Sequence, residues 1–348
     1  MGKKNRFWLN IIGLVVFLLA MPLFFRMGGG KIVIAEVLPG QAVTEGLSLS
    51  ALFEKEDKVV VTSHLIGSDD VEFMKPTAIS GGGRPLHVTA AELEKMKDLS
   101  YLRSNYYIVD SRTSLLEGDV DVEQALELDL TIEPTIKEPK VLIFHTHAHE
   151  GFVDSDMSKG LEEGIWGVGE ELKRILEEEY HIGVIHDTGQ YDVVNGKGQT
   201  TGAYERMEPP IREILKKYPS IEVCIDLHRD GVAENVRLVT EIDGKKCAQV
   251  MFFNGLCRLN KNGTTQPISG LENPYLKENL AFSLQMKTAA DSLFPDFARK
   301  IYLNAYRFSL HFMPRSTLIE VGAQTNTKAE AKNAMKPLAE VLASVLTE

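Results

Sequence analysis

The sequence predicts an α/β fold, a mainly parallel twisted sheet with helices on both faces, preceded by one N-terminal transmembrane helix. Three observations lead there. From Lys140 onward, short apolar runs alternate with amphipathic helical stretches, the rhythm of strand–helix–strand units. The runs themselves, Val141-Leu142-Ile143-Phe144 among them, have the length and composition of buried strands. Near the front, Phe7 to Phe25 carries no charged residue. As a helix rising ~1.5 Å per residue it would span roughly 28 Å, close to the hydrocarbon thickness of a bilayer.

In chain order, Lys3, Lys4 and Arg6 precede the apolar run, which by the positive-inside rule leaves the N-terminus in the cytoplasm and the rest outside. The run ends Pro22-Leu23-Phe24-Phe25-Arg26-Met27 without a small-x-small cleavage site, so an uncleaved anchor is expected. A polar stretch follows, broken at Gly81-Gly82-Gly83, a flexible sequence. Ala90 to Leu99 reads as a short helix, Leu99 to Val109 leads into an extended piece, and acidic Glu117 to Glu133 with Pro134 and Pro139 reads as a linker. Strands are expected at 141–144, 182–185, 221–227, 235–242, 248–253 and 316–321. Helices are expected at 165–179, 204–217, 273–293 and 328–346. In the 165–179 helix, Val168, Leu172 and Ile175 share one face, with Glu170 to Arg174 as an outward ion pair. The expected divisions are 1–27, cytoplasmic tip and anchor; 28–139, an extracytoplasmic linker or accessory region; and 140–348, the catalytic domain.

Composition excludes several classes. With 44% hydrophobic and 25% charged residues the 348-residue chain is globular in kind. The net charge is −11, and four of the basic residues flank the apolar run, so the remainder is more acidic still and no basic patch for nucleic acid is expected. Cys224, Cys247 and Cys257 are too few for a disulfide framework and match no zinc-finger spacing. A Cys247–Cys257 bridge is conceivable; buried thiols are the expected state.

Ligands in such sheets sit beyond the carboxyl ends of the strands, and three strand ends here carry chemistry. The first runs into His145-Thr146-His147-Ala148-His149-Glu150, the third into Asp226-Leu227-His228-Arg229-Asp230, and the last holds Glu320 inside an apolar run. A catalytic zinc commonly takes two histidines, one carboxylate and a water. His147-x-x-Glu150 with distant His228 supplies that set, and Glu320 is a candidate to move the proton between water and leaving amine. Glu320 could instead pair with Arg315 or Arg229 in the interior. His149-Glu150 begins a zincin motif, but Val153 stands where its second histidine belongs. No G-x-S-x-G elbow and no Walker-A sequence occurs. His64, His87, His181, His186 and His311 read as ordinary histidines.

The three segments, the last running Leu318-Ile319-Glu320-Val321-Gly322-Ala323-Gln324-Thr325-Asn326-Thr327, resemble the stage II sporulation protein P family. The resemblance covers Lys140 to Glu348 well and 90–139 more loosely, and the N-terminal anchor agrees with it. It implies a zinc-dependent N-acetylmuramoyl-L-alanine amidase fold on a membrane-anchored peptidoglycan hydrolase. Such an enzyme acts during engulfment in sporulation, alongside stage II sporulation proteins D and M. Peptide cross-link cleavage is also attributed to the family. By resemblance, His147 and His228 match zinc-associated histidines, Glu150 the first-motif glutamate and Glu320 the late catalytic glutamate. His145 is an alternative to His147 as direct ligand. Glu163, in Gly160-Leu161-Glu162-Glu163, is an alternative to Glu150. Arg229 is expected to bind a substrate carboxylate or to hold Glu320. Rival readings are a zinc carboxypeptidase-like wall peptidase and a non-catalytic wall-binding assembly protein.

Overall fold

Apolar runs too short for helices pair edge to edge into one seven-stranded sheet. The strands are β1 (Tyr107–Val109), β2 (Val141–Phe144), β3 (Val184–His186), β4 (Val223–Asp230), β5 (Val250–Gly255), β6 (Ile301–Asn304) and β7 (Ser316–Ala323). Their spatial order is β1-β6-β5-β7-β4-β2-β3. The computed structural model of the chain describes residues 87–347. The expected anchor, the Gly81–Gly83 break and His64 lie outside the described residues. Among the described residues, no helix is long and apolar enough to cross a membrane.

The sheet is mostly parallel, as expected, with one reversal. β7, β4, β2 and β3 run together, as do β5, β6 and β1; β5 meets β7 antiparallel, with Leu318 opposite Phe253 and Val321 opposite Val250. The carboxyl ends of β2, β4 and β7 therefore share one edge of the sheet, where the three chemistry-bearing segments emerge.

Helices cover both faces. The first layer holds α1 (Ala90–Met96), α2 (Leu99–Tyr106), α3 (Val122–Glu127), α4 (Ile165–Glu179), α6 (Leu276–Leu293), α7 (Lys328–Asn333) and α8 (Met335–Leu346). α8 packs against α4 and α6, and α3 against α6. Val168, Leu172 and Ile175 of α4 are buried in this layer, as their spacing predicts. The opposite face is covered by α5 (Ala203–Lys217), whose Met207 and Ile211 pack with Leu142, Phe144 and Phe312.

Several expectations are corrected. The boundary at 139/140 does not separate two parts: β1 pairs with β6 at the sheet edge, and Leu115, Leu126, Leu130 and Ile132 belong to the same core as the helices after residue 140. The acidic 117–133 stretch contains α3, capped by the Asp121 carboxylate on Gln124 N; its charges masked the buried apolar positions between them. The Ala90–Leu99 helix ends at Met96 and a new one starts after Asp98, which caps Tyr101 N. Val239–Ile242 lies outside the main sheet, in a hairpin with Lys245–Ala248. Its Asp243-Gly244 turn takes positive φ at both residues, as two-residue hairpin loops require. β6 was not foreseen: only three of its residues, Ile301, Tyr302 and Leu303, are apolar. The closing helix is two helices, because Pro337 has no N–H to offer the Asn333 carbonyl across Ala334. Arg174 pairs with Glu171 and Glu178, whereas Glu170 pairs with His186. All three cysteines are free and buried, so no Cys247–Cys257 bridge forms.

Burying a leucine or isoleucine side chain contributes roughly 1.5–3 kcal/mol, so losing 107–132 would strip several such terms from the α6 side of the core. A fragment beginning at residue 87 is expected to unfold cooperatively in urea. One beginning at 140 is expected to lack a cooperative transition by circular dichroism.

Candidate metal and catalytic site

The strand pleat aligns the site. Asp226 and His228 are two apart on β4 and so project to one face, and Glu320 of β7 lies in register beside His228. The loop after β2 brings His147 and Glu150 to the same place. One donor atom from each of His147, Glu150 and His228 lies within 4.8 Å of the others. His147 Nδ1 is 3.5 Å from Glu150 Oε1, and His228 Nδ1 is 3.5 Å from Glu150 Oε2. The two imidazole planes stand at 90° with centroids 5.1 Å apart. Around a tetrahedral ion with bonds of about 2.1 Å, neighbouring donors are about 3.4 Å apart. Two imidazoles and a carboxylate at this spacing fit a zinc ion.

Asp226 orients the set. Buried completely, it accepts hydrogen bonds from His228 Nε2 at 2.8 Å, Thr146 N at 3.0 Å and Thr146 Oγ1 at 2.7 Å. Taking His228 Nε2 leaves Nδ1 to face Glu150, the arrangement in which an outer carboxylate fixes the tautomer of a metal-binding imidazole. Burial by itself would raise the Asp226 carboxyl, but His228 and the two Thr146 bonds outweigh it and hold the group below its ordinary range. Burial also opposes charge on His228 and Glu150. Asp226 and then Glu150 nevertheless raise His228 well above the usual imidazole value, and His228 and His147 hold Glu150 well below that of a free carboxyl. His228 thus stands between two carboxylates, those of Asp226 and Glu150, with His147 beside Glu150, a donor set suited to a cation.

Glu320 is buried beside this group, and its Oε2 has no hydrogen-bond partner. Burial first, then the Asp230 charge, raises its carboxyl well above the ordinary value, against the pull of His228 and Arg229. Asp230 is itself held by Arg299 at 2.8 Å. Neither expected partner bonds Glu320: Arg315 donates to the carbonyls of Leu130 and Thr131. Arg229 uses its guanidinium on the carbonyls of Gly151 and Asp230, and its backbone N–H on Glu150 Oε2 at 2.8 Å. It stitches the end of β4 to the 150–151 loop.

The alternatives lie elsewhere. Glu163 is ion-paired with Lys328 and accepts from Asp156 N, outside the three-residue group. His145 points to the other face of the sheet, its Nδ1 donating to the Leu227 carbonyl at 2.6 Å and its Nε2 2.7 Å from His186 Nε2. Burial, then the neighbouring His186, lowers it to about 3, which leaves a neutral ring. Sequence reasoning missed the orienting part of Asp226, although its i, i+2 spacing from His228 was a usable signal. It also passed over His186, whose position at the end of a strand was the one hint. The third motif proves largely structural: Asn326 bridges Ala323 N, the Leu238 carbonyl and Glu330, and Thr327 with Glu330 closes a capping box on α7.

The chain belongs to the stage II sporulation protein P family, whose profile, described as Stage II sporulation protein P (SpoIIP), matches residues 89–343. No curated protein matches it. Among solved structures it resembles the N-acetylmuramoyl-L-alanine amidase AmiC2 of Nostoc punctiforme, at 14% identity and TM-score 0.32 over 59% of this chain and 94% of that one. It resembles the apo form of the N-acetylmuramyl-L-alanine amidase Ami1 from Mycobacterium abscessus, at 10% identity and TM-score 0.35 over 60% and 99%. It also resembles the CwlD amidase from Clostridioides difficile in complex with the GerS lipoprotein, at 11% identity and TM-score 0.33 over 59% and 94%.

Zinc titration of the metal-free protein is expected to show about one site per chain, lost in His228→Ala and Glu150→Ala and kept in Glu163→Gln. Asp226 and Glu150 raise the proton affinity of His228, so metal uptake is expected to release a proton and to weaken as pH falls. Calorimetry in buffers of different ionisation enthalpy counts that proton.

Proposed function

We propose that this member of the stage II sporulation protein P family is a membrane-anchored, zinc-dependent N-acetylmuramoyl-L-alanine amidase. In this reading it works on peptidoglycan outside the cell membrane during sporulation, alongside stage II sporulation proteins D and M. The anchor is the single span at 7–25, with the N-terminus cytoplasmic. The observation that carries the reading is the group His147, Glu150 and His228, oriented by Asp226, with the unpartnered buried carboxyl of Glu320 on the adjoining strand.

His147, Glu150 and His228 would hold the ion. Zinc bound there supplies a positive charge that acidifies water and polarises the scissile carbonyl. The chain's own groups do the rest. Asp226 keeps His228 in one tautomer and one orientation. Arg229 fixes Glu150 from its backbone N–H and the 150–151 loop from its guanidinium. Burial and Asp230 give Glu320 a high proton affinity, which suits Oε2 to take a proton from the attacking water and deliver it to the departing amide nitrogen. The cleaved bond joins the lactyl carbonyl of N-acetylmuramic acid to L-alanine, so the products are glycan carrying a free lactyl acid and a stem peptide with a free L-alanyl amine.

Mass spectrometry of digested peptidoglycan tests this. Free glycan and intact stem peptides are expected. Loss of a terminal amino acid would point to a carboxypeptidase instead, and equal wall lysis by wild type and His228→Ala would remove the enzyme reading. Glu320→Gln is expected to lower turnover about 10²–10⁴-fold, the scale of a lost general acid–base group, with zinc content unchanged.

A further inference from the structure

On the face of the sheet opposite the metal group, three side chains form a hydrogen-bonded line that the reaction above does not use. The β2–β4 ladder ends with Phe144 opposite Asp226. One step further, the His145 side chain takes over: its Nδ1 lies 2.6 Å from the Leu227 carbonyl. A carbonyl only accepts, so Nδ1 carries the hydrogen and Nε2 of the neutral ring accepts. His186, the last residue of β3, then donates from Nε2 across 2.7 Å. Its Nδ1 lies 2.5 Å from Glu170 Oε1, a contact that closes only around one further proton. Trp166, one turn before Glu170 on α4, stacks on the His186 ring at 4.8 Å and 21°. Gly169 makes the room, since a Cβ there would come within 2.9 Å of Nε2 of both histidines.

Leu227 lies between Asp226, which orients His228, and His228 itself; His145 lies two residues before His147. We propose that His145, His186 and Glu170 form a positioning chain that fixes the spacing of the two histidine-bearing segments. The chain thereby sets the affinity and coordination geometry of the metal site without touching the ion. This inference rests on reading His147, Glu150 and His228 as a metal site. Leu227 has no strand neighbour left on that side, so without His145 its carbonyl would be free to tilt and carry His228 with it.

Glu170 is nearly half exposed, so Glu170→Gln is a mild change for the fold. Gly169→Ala keeps every member of the chain but wedges the imidazoles apart. In the full-length protein, nitrogen-15 histidine spectra without metal are expected to show a hydrogen on Nδ1 of His145 and a strongly deshielded proton at His186 that disappears in Glu170→Gln. Zinc competition is expected to show a roughly tenfold to hundredfold loss of affinity in both variants, the range seen when outer partners of metal ligands are removed. An altered ligand-field spectrum with cobalt in place of zinc should accompany it, and Glu170→Asp should restore part of the affinity. Wild-type zinc uptake with unchanged affinity and cobalt spectrum in both variants overturns the positioning chain alone. Absence of the His145 Nδ1 hydrogen in the wild type overturns it without any variant. A wild type that takes up no zinc overturns the metal reading, and this inference with it.

Discussion

The structure around the site depends on one buried carboxylate. Asp226 sits in the third strand in from the β3 edge, with no solvent to pay for its charge, and three features of the surroundings follow from keeping it ionised. Thr146 must turn its backbone N–H and hydroxyl inward, which forces the chain after β2 to leave the sheet at once. His228 must present Nε2, which aims Nδ1 at Glu150. Glu150 must then be bound from behind by the Arg229 backbone. Leaving any member of such a network unpaired costs more than the network gains per bond, so the loop after β2 and the end of β4 are held in one arrangement.

Packing makes room for these polar groups at the end of the sheet. β2 is apolar throughout, β4 turns polar only from Asp226, and Glu320 of β7 stands between apolar Ile319 and Val321, with Ile143, Ile225 and Ile319 all fully buried. The antiparallel β5 contributes to this. Its amino end, at Val250 and Met251, lies next to Glu320 and Val321, so an apolar strand start walls one side of the Glu320 carboxyl. A parallel neighbour would bring a polar strand end there instead. The high proton affinity of Glu320 thus follows from sheet topology as well as from Asp230.

The fold class and the elements that carry the site were legible because they are long or strongly patterned. β2 is apolar at every position, α4 has its apolar residues at 3.6 spacing, and β4 and β7 each carry a charged residue within an apolar run. What escaped had a physical reason in each case. β6 offers only three consecutive apolar residues, Ile301, Tyr302 and Leu303, and its place in the sheet is fixed by pairing with β1 and β5. The core contribution of 107–132 hides behind aspartates and glutamates that serve as caps or face solvent. The candidate ligands on the His145-to-Glu150 stretch could not be chosen by spacing alone, since successive residues leaving a strand point to opposite faces and only the sheet register says which is which.

A break in that alternation divides the labour of the stretch. His145 faces α4 and His147 faces α5, so two histidines separated by one residue serve different sides of the sheet. Residues 145 and 147 of a continued strand would point the same way. They diverge because the chain leaves the ladder between them, pulled off by Thr146 bonding Asp226. The polar residue in the middle of His145-Thr146-His147 therefore decides what its neighbours do. An apolar residue of similar size there, valine for instance, would leave the Asp226 carboxylate without its hydroxyl donor while keeping both histidines in the sequence. Three residues in a row are constrained by one buried charge, and this accounts physically for the compactness of the motif.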